Sequence, residues 1–397
     1  MGSMGDRYVH DVIVVGGGPS GVTTSLALKT AHTSADVLIL EKATYPRDKY
    51  CAGAIGARGE KILASLDAMP DVPACPFDGM TFRGLYGSTS ARLRSIGRVV
   101  RRVEFDAALA AIAKKRGVAI EEGTAVTDVC EEDDAVRVVA GNRSHWARVV
   151  VGADGVGSVV RRALKLSRGA LRAQVLEVDT EALPDESDRK LIHFDASDRR
   201  LSGYYWDFPT TVDGKSLVCR GIYKLCIGDG RTNDLEPLFA ERLAALGLDL
   251  SNYKNKRYAE RGLEALERVG SGRLMLVGEA AGIDPTTGEG IAQAIEYGSI
   301  AGTFLGSELK RGNKLLGDAF DRDFRGTRLF RDLRIRERFA HAFYGDLRDT
   351  MDRFFVESDS AIHVGCQHFA NEPYDLWHLL DAAVRLGAHA LMAKLSG

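Results

Sequence analysis

Gly16-Gly17-Gly18-Pro19-Ser20-Gly21 follows the apolar run Asp11-Val12-Ile13-Val14-Val15 and leads into a helix-forming stretch from Val22 to Lys29. The run is short enough for a buried parallel strand, so a strand feeds a helix through glycines. Gly16 permits the tight turn, Gly18 lets the backbone approach a pyrophosphate, and Gly21 allows the helix to pack closely on the strand. Ser20 lies in the first helical turn, whose unpaired N–H groups suit a phosphate. A second apolar strand, Val37-Leu38-Ile39-Leu40, ends at Glu41 and Lys42. An acid at that position accepts hydrogen bonds from ribose hydroxyls and disfavours a 2′-phosphate. Strand, turn, helix, strand and acid within about 30 residues form the context that turns a glycine pattern into a dinucleotide site.

Two later stretches echo the first: Gly152-Ala153-Asp154-Gly155 and Gly278-Glu279-Ala280-Ala281-Gly282. One turn implies only a dinucleotide; three in this order imply FAD held by a single discontinuous domain.

The rest of the chain is compatible with this. Its 397 residues are 45% hydrophobic, enough for two or three packed domains. Net charge is -2, which argues against nucleic-acid binding. The six cysteines form no C-x-x-C pair and the histidines no H-x-x-x-H or H-E-x-x-H spacing, so no metal site is expected. Reduced thiols, and no apolar run near the ~18 residues of a membrane span, point to a cytoplasmic protein. A helix is expected from about Arg58 to Leu66, a strand-like stretch from Met80 to Leu93, and another helix from Glu104 to Gly117. Short strands follow at Val118 to Glu121, Ala125 to Cys130 (including Val126), Val136 to Val139 and Arg148 to Val151. From Leu171 to Arg268 the pattern changes to strands at Lys190 to Phe194, Gly203 to Phe208 and Leu217 to Tyr223, with a helix near Glu236 to Leu246. Beyond Asp318 the chain reads as almost entirely helical.

Asp154-Gly155-Val156-Gly157-Ser158-Val159-Val160-Arg161, and Arg102 three residues ahead of Phe105-Asp106, resemble the FAD-binding group of p-hydroxybenzoate hydroxylase, flavin-dependent halogenases and geranylgeranyl reductases. Three further stretches are most similar to the geranylgeranyl reductase branch. These are Pro46-Arg47-x-Lys49-x-Cys51-Ala52-Gly53, Gly203-Tyr204-Tyr205-Trp206-Asp207-Phe208-Pro209 and Pro285-Thr286-Thr287-Gly288-Glu289-Gly290-Ile291. The resemblance spans roughly residues 9 to 310. It implies an α/β fold with a Rossmann-type, p-hydroxybenzoate hydroxylase-like FAD domain, an inserted β-sheet substrate domain and a helical C-terminal region. The FAD domain is expected in parts 1–79, 98–168 and 269–317. Segments 80–97 and 169–268 would form the substrate domain, and 318–397 the tail.

By that resemblance, Asp154 and Gly155 shape the diphosphate and ribityl region, and Arg102, with Arg47, supplies positive charge there. Gly278 and the residue after it meet the ribityl chain, and that residue is normally aspartate, so Glu279 departs by one methylene. Gly288, Gly290 and Ile291 open a helix whose dipole favours an anionic reduced flavin. Ala52 and Gly53 belong to the loop set beside the ring. Cys51 either donates a proton or shapes the pocket, or is a small apolar filler, and Lys49 is a general acid, an electrostatic partner of reduced flavin or a solvated loop lysine. Tyr204, Trp206 and Phe208 lie on one face of a strand and, with Pro285 as a further pocket candidate, read either as a substrate wall or as packing. The arginines at 322, 325, 328, 331, 334, 336 and 338 could meet a substrate diphosphate, a carrier protein's phosphopantetheine arm or an anionic membrane, giving a peripheral location. Their acidic neighbours equally suit a salt-bridged face.

The expected activity is hydride transfer from reduced FAD to a carbon–carbon double bond of a lipophilic substrate. The alternative is a monooxygenase acting on an aromatic or polyketide-like substrate. Halogenation is a lesser variant, because the Pro46 to Ala54 loop differs from the halogenase sequence. With one dinucleotide fingerprint, a reduced nicotinamide must dock transiently or another donor must serve.

Overall fold

Val12, Ile13 and Val14 are wholly buried because parallel strands flank them on both sides, Val14 pairing with Ile39 and with Val151. Burial of both faces, as is usual where parallel strands pair in the middle of a sheet, explains why the first run is apolar throughout rather than alternating. The computed structural model describes residues 8–184, 186, 190–227 and 234–395. In chain order the first half comprises β1 (Val9–Val15), α1 (Pro19–Ala31), β2 (Val37–Leu40), β3 (Ala54–Gly56), α2 (Ala57–Ser65), β4 (Ala74–Gly84), β5 (Gly87–Val100), α3 (Arg102–Lys115), β6 (Ala119–Glu121), β7 (Val126–Glu131), β8 (Val136–Ala140), β9 (Arg143–Gly152) and α4 (Val159–Ala163). Next come β10 (Leu171–Glu181), β11 (Ile192–Asp195), β12 (Gly203–Val212), β13 (Lys215–Ile227), α5 (Glu236–Ala244), β14 (Lys256–Arg261), β15 (Gly270–Ser271), β16 (Leu274–Leu276) and α6 (Ile291–Lys310). The tail adds α7 (Gly317–Arg325), α8 (Arg328–Phe343), α9 (Arg348–Glu357), α10 (Asp359–Ala370) and α11 (Leu376–Leu395).

The strands make two sheets. The first runs β15-β16-β9-β1-β2-β6, with β7 and β8 attached through β9. The second runs β14-β10-β13-β12-β11-β4-β5-β3 and is antiparallel except where β11 meets β4. The stretch read as one strand from Met80 to Leu93 is a long hairpin, β4 and β5, reversing between Gly84 and Gly87. The second sheet thus takes in residues 54–56 and 74–100, wider than the expected 80–97.

Helix α6 lies against α1 along Gly298, Gly302 and Gly306, spaced four apart on one face. A Cβ at these positions would meet Ser20 O, Thr24 O and the Ala31 side chain in turn, so the two helices run parallel at close range. Their N-termini therefore share one end of the first sheet. Among the described residues no helix is long and apolar enough to cross a membrane.

The arginine-rich stretch divides at Gly326 into α7 and α8 rather than forming one helix. Phe343, Phe354, Ile362 and Phe369 from the tail join Tyr204, Trp206 and Phe208 in one apolar cluster, covering one face of the second sheet. Tyr205 points the other way, into a cluster with Phe239 and Leu243 of α5, as strand alternation requires.

Candidate active site

The turn after β1 has its geometry set by its neighbours. Gly16 has φ +102°, and a side chain there would press on the Ala153 carbonyl. Gly21 packs against Val14 and Ala153, where a Cβ would come within 3.1 Å of each. Gly18 differs: a Cβ there would have only the Arg47 guanidinium, 4.0 Å away, as neighbour. It opens onto a cavity of about 670 Å³, within the ~300–1,000 Å³ range of small-molecule sites.

Gly16, Gly18, Ser20, Glu41, Lys42 and Arg47 line one part of this cavity. Lys49, Cys51, Arg102, Val126, Asp154 and Gly155 line another, and Glu279, Gly288, Gly290 and Ile291 a third. Gly21 and Gly278 lie behind the wall, where Gly278, at φ +59°, backs onto the Ser20 side chain. Ala52 and Gly53 line an adjoining, smaller pocket.

The polar groups are held in a defined pattern. Glu41 accepts hydrogen bonds from Gly17 N–H (2.7 Å) and Ala43 N–H (3.0 Å). Arg102 donates twice to Asp106, at 2.7 Å each, and Arg47 reaches the same carboxylate at 3.0 Å. Both arginine charges expected beside the diphosphate are thus already engaged by a buried carboxylate. Tyr45, which sequence reasoning missed, donates its hydroxyl to Gly17 O and braces the turn. Asp154 accepts from Val159 N–H at 2.6 Å through one oxygen, while its other oxygen, though buried, has no partner. Glu279 pairs with Lys49 at 3.0 Å.

Open space at Gly18, an unpaired oxygen on Asp154 and the uncapped start of α6 at Gly290 fit the diphosphate, ribityl chain and ring end of FAD. The residues from Asp284 to Gly290 are fixed by the tail. Asp284 accepts from Thr286 N–H at 2.7 Å and pairs with Arg336, while Tyr344 donates to Thr286 O at 2.6 Å. Arg325 and Arg328 pair with Asp321 and Asp332, whereas Arg322, Arg331, Arg334 and Arg338 are exposed. Part of the basic stripe is therefore an internal clamp.

The smaller pocket is walled by Tyr204, Trp206 and Phe208 together with Phe194, Tyr223 and Phe369, leaving about 50 Å³ free. Pro285 does not line it; its ring packs on Gly262, and its carbonyl accepts from the Tyr223 hydroxyl at 2.8 Å. Cys51, Tyr258, Glu260, Gly288, Gly290 and Ile291 line both cavities and so mark their junction. Burial pushes the Cys51 thiol up, despite the counteracting Arg102 charge, so the group is a thiol rather than a thiolate. Glu177 is fully buried and accepts from Cys51 N–H (3.1 Å) and the Tyr258 hydroxyl (3.0 Å). Burial pushes its carboxyl up to about 7, against the pull of Lys256. Glu177, Tyr258 and Glu260 escaped the sequence reading, because Lys256–Arg261 shows no apolar–polar alternation to mark it as a strand.

Residues 82–203 match the family described as FAD binding domain. A digeranylgeranylglycerophospholipid reductase of Methanocella arvoryzae is 30% identical over 373 residues, covering 83% of this chain and 86% of the relative. Among solved structures, a geranylgeranyl bacteriochlorophyll reductase-like protein of Thermoplasma acidophilum superposes with a TM-score of 0.73 at 19% identity, over 95% of this chain and 96% of that one. The halogenase PltM with phloroglucinol and FAD superposes with a TM-score of 0.66 at 16% identity, over 96% and 85%. These structural likenesses report a shared fold.

Proposed function

Because this chain belongs to the geranylgeranyl reductase branch of the FAD-dependent p-hydroxybenzoate hydroxylase and flavin halogenase superfamily, we propose that it saturates a carbon–carbon double bond in an isoprenoid-like lipid. The observation that carries this reading is the junction of the two cavities, where an aromatic pocket opens directly onto the FAD cavity. Bound and reduced, FAD supplies a hydride.

The protein's own residues do the remaining work. Tyr204, Trp206, Phe208 and Phe194 offer ring faces and edges to an apolar chain and exclude water. The Tyr204 and Tyr223 hydroxyls are tied to the carbonyls of Thr287 and Pro285, which holds the aromatic strand against the start of α6. Only about 50 Å³ is free, so a prenyl chain enters by displacing side chains that lack such ties, Phe208 among them. The start of α6 at Gly290 turns its unpaired N–H groups to the edge of the FAD cavity, where they favour an anionic reduced cofactor. A reduced nicotinamide or another donor is needed to complete the cycle.

The test is anaerobic mixing of the reduced holoenzyme with a detergent-dispersed digeranylgeranylglycerophospholipid. Substrate-dependent flavin oxidation with a product heavier by hydrogen alone is expected. Turnover that requires oxygen and leaves an oxygen atom in the product would establish the monooxygenase reading instead.

A further inference from the structure

Glu260 stands at the junction of the two cavities on β14, whose alternation brings Lys256, Tyr258 and Glu260 to one face. Lys256 pairs with Asp179 at 2.7 Å and Tyr258 donates to Glu177, so two of the three have fixed partners. Glu260 is 8% exposed, and its buried Oε2 has no hydrogen-bond partner. The carboxyl fills the space over Gly288, where a Cβ would stand 2.6 Å from Oε2, so the glycine leaves room for the acid beside the start of α6.

A buried carboxylate without a partner is costly, and such a group instead holds its proton. Burial pushes the Glu260 carboxyl well above the usual carboxylate range, and nearby Glu279, Glu177 and Asp284 add to this against the counter-charge of Lys49. The other titratable groups at the junction are less suited to giving up a proton. The Tyr258 hydroxyl is committed to Glu177, and the Cys51 sulfur, a weak donor, accepts from Gly53 N–H at 3.4 Å.

We propose that Glu260 is the acid that protonates the substrate carbon next to the one receiving hydride. This rests on the double-bond reduction proposed above. The alkene π pair forms the new C–H bond to the Glu260 proton, and the neighbouring carbon takes the hydride. The flavin is thereby oxidised by two electrons. The resulting Glu260 carboxylate recovers a proton from solvent after product leaves.

The experiment compares the wild-type holoenzyme with Glu260→Gln and Glu260→Asp, each first shown to bind and retain FAD. Infrared spectroscopy at neutral pH should show a carboxylic acid C=O band in wild type that is lost in Glu260→Gln, a readout independent of turnover. Anaerobic flavin oxidation by the dispersed digeranylgeranylglycerophospholipid should slow about 100-fold in Glu260→Gln, with partial recovery in Glu260→Asp. If wild type forms saturated product and Glu260→Gln does so at the same rate, or if no acid band is lost, Glu260 is not the donor. If wild type forms no saturated product, the reduction reading and this proposal fail together.

Discussion

Lys49 Nζ lies 3.0 Å from Glu279 Oε1, joining the loop before Cys51 to the third glycine turn across 230 residues of sequence. The extra methylene of glutamate, an oddity in the sequence, lets one side chain face the cavity and meet a lysine across it. Glu279→Ala removes a carboxylate from the cavity wall and should weaken FAD binding about tenfold or more, since hydrogen bonds to charged groups contribute about 1.5–3 kcal/mol. Lys49→Ala removes a half-exposed ion pair and should change the affinity by less than about 1 kcal/mol. Titration of apoprotein with FAD, followed by flavin fluorescence, measures both.

Gly18 separates folding from cofactor binding. Its backbone is extended, at φ -75° and ψ -178°, and a Cβ would meet nothing closer than 4.0 Å. Gly18→Val should therefore melt close to wild-type apoprotein yet retain no flavin on purification. A yellow Gly18→Val protein would show that the diphosphate does not lie over this turn.

Glu177 makes stability depend on pH. Its carboxyl rises from 4.5 in the unfolded chain to about 7 in the fold, so between these values the unfolded state releases a proton that the native state keeps. The contribution is full below about pH 4.5 and is lost as pH rises through 7, a change of about 3 kcal/mol. Relative to Glu177→Gln, wild type should lose about that much stability between pH 4.5 and 8, as measured by urea denaturation. A constant difference would place the ionised form comfortably in the core.

Gly221 carries the Trp206 ring on its surface, with no room for a Cβ beneath the indole. Gly221→Ala should push the indole into the narrow pocket at a stability cost of about 1–3 kcal/mol. FAD content should be unchanged while substrate-dependent flavin oxidation needs far higher substrate concentration. An unchanged KM would mean that Trp206 does not face the substrate.

The glycine turns were legible because their spacing reports steric demands made within one strand-turn-helix unit. The wall of Tyr204, Trp206 and Phe208 was legible from strand alternation. The β4–β5 hairpin was hidden because Gly84-Leu85-Tyr86-Gly87 lacks the usual Asn-Gly or Asp-Gly reversal. Lys256–Arg261 was hidden because four of its six residues are charged. It is a strand only through its pairing with β10, which begins 85 residues earlier. The importance of Glu260 depends on that pairing and on Gly288, neither of which is local. The arginine stripe was legible in part: its acidic neighbours pointed to the pairs made by Arg325 and Arg328, whereas Arg336 of α8 pairs with Asp284 in the loop before α6, a partner that local spacing does not reveal.

The cavity draws on residues from Val15 to Ala294, and α1 is flanked by α6, a helix that begins 272 residues after α1 does. During synthesis the first turn therefore leaves the ribosome long before the segment that completes its cradle. A nascent chain ending before Gly288 has an incomplete FAD cavity, however well β1, α1 and β2 have formed. The complete cradle thus awaits the segment from Gly288 to Ala294, which the packing of Gly298, Gly302 and Gly306 against α1 holds in place.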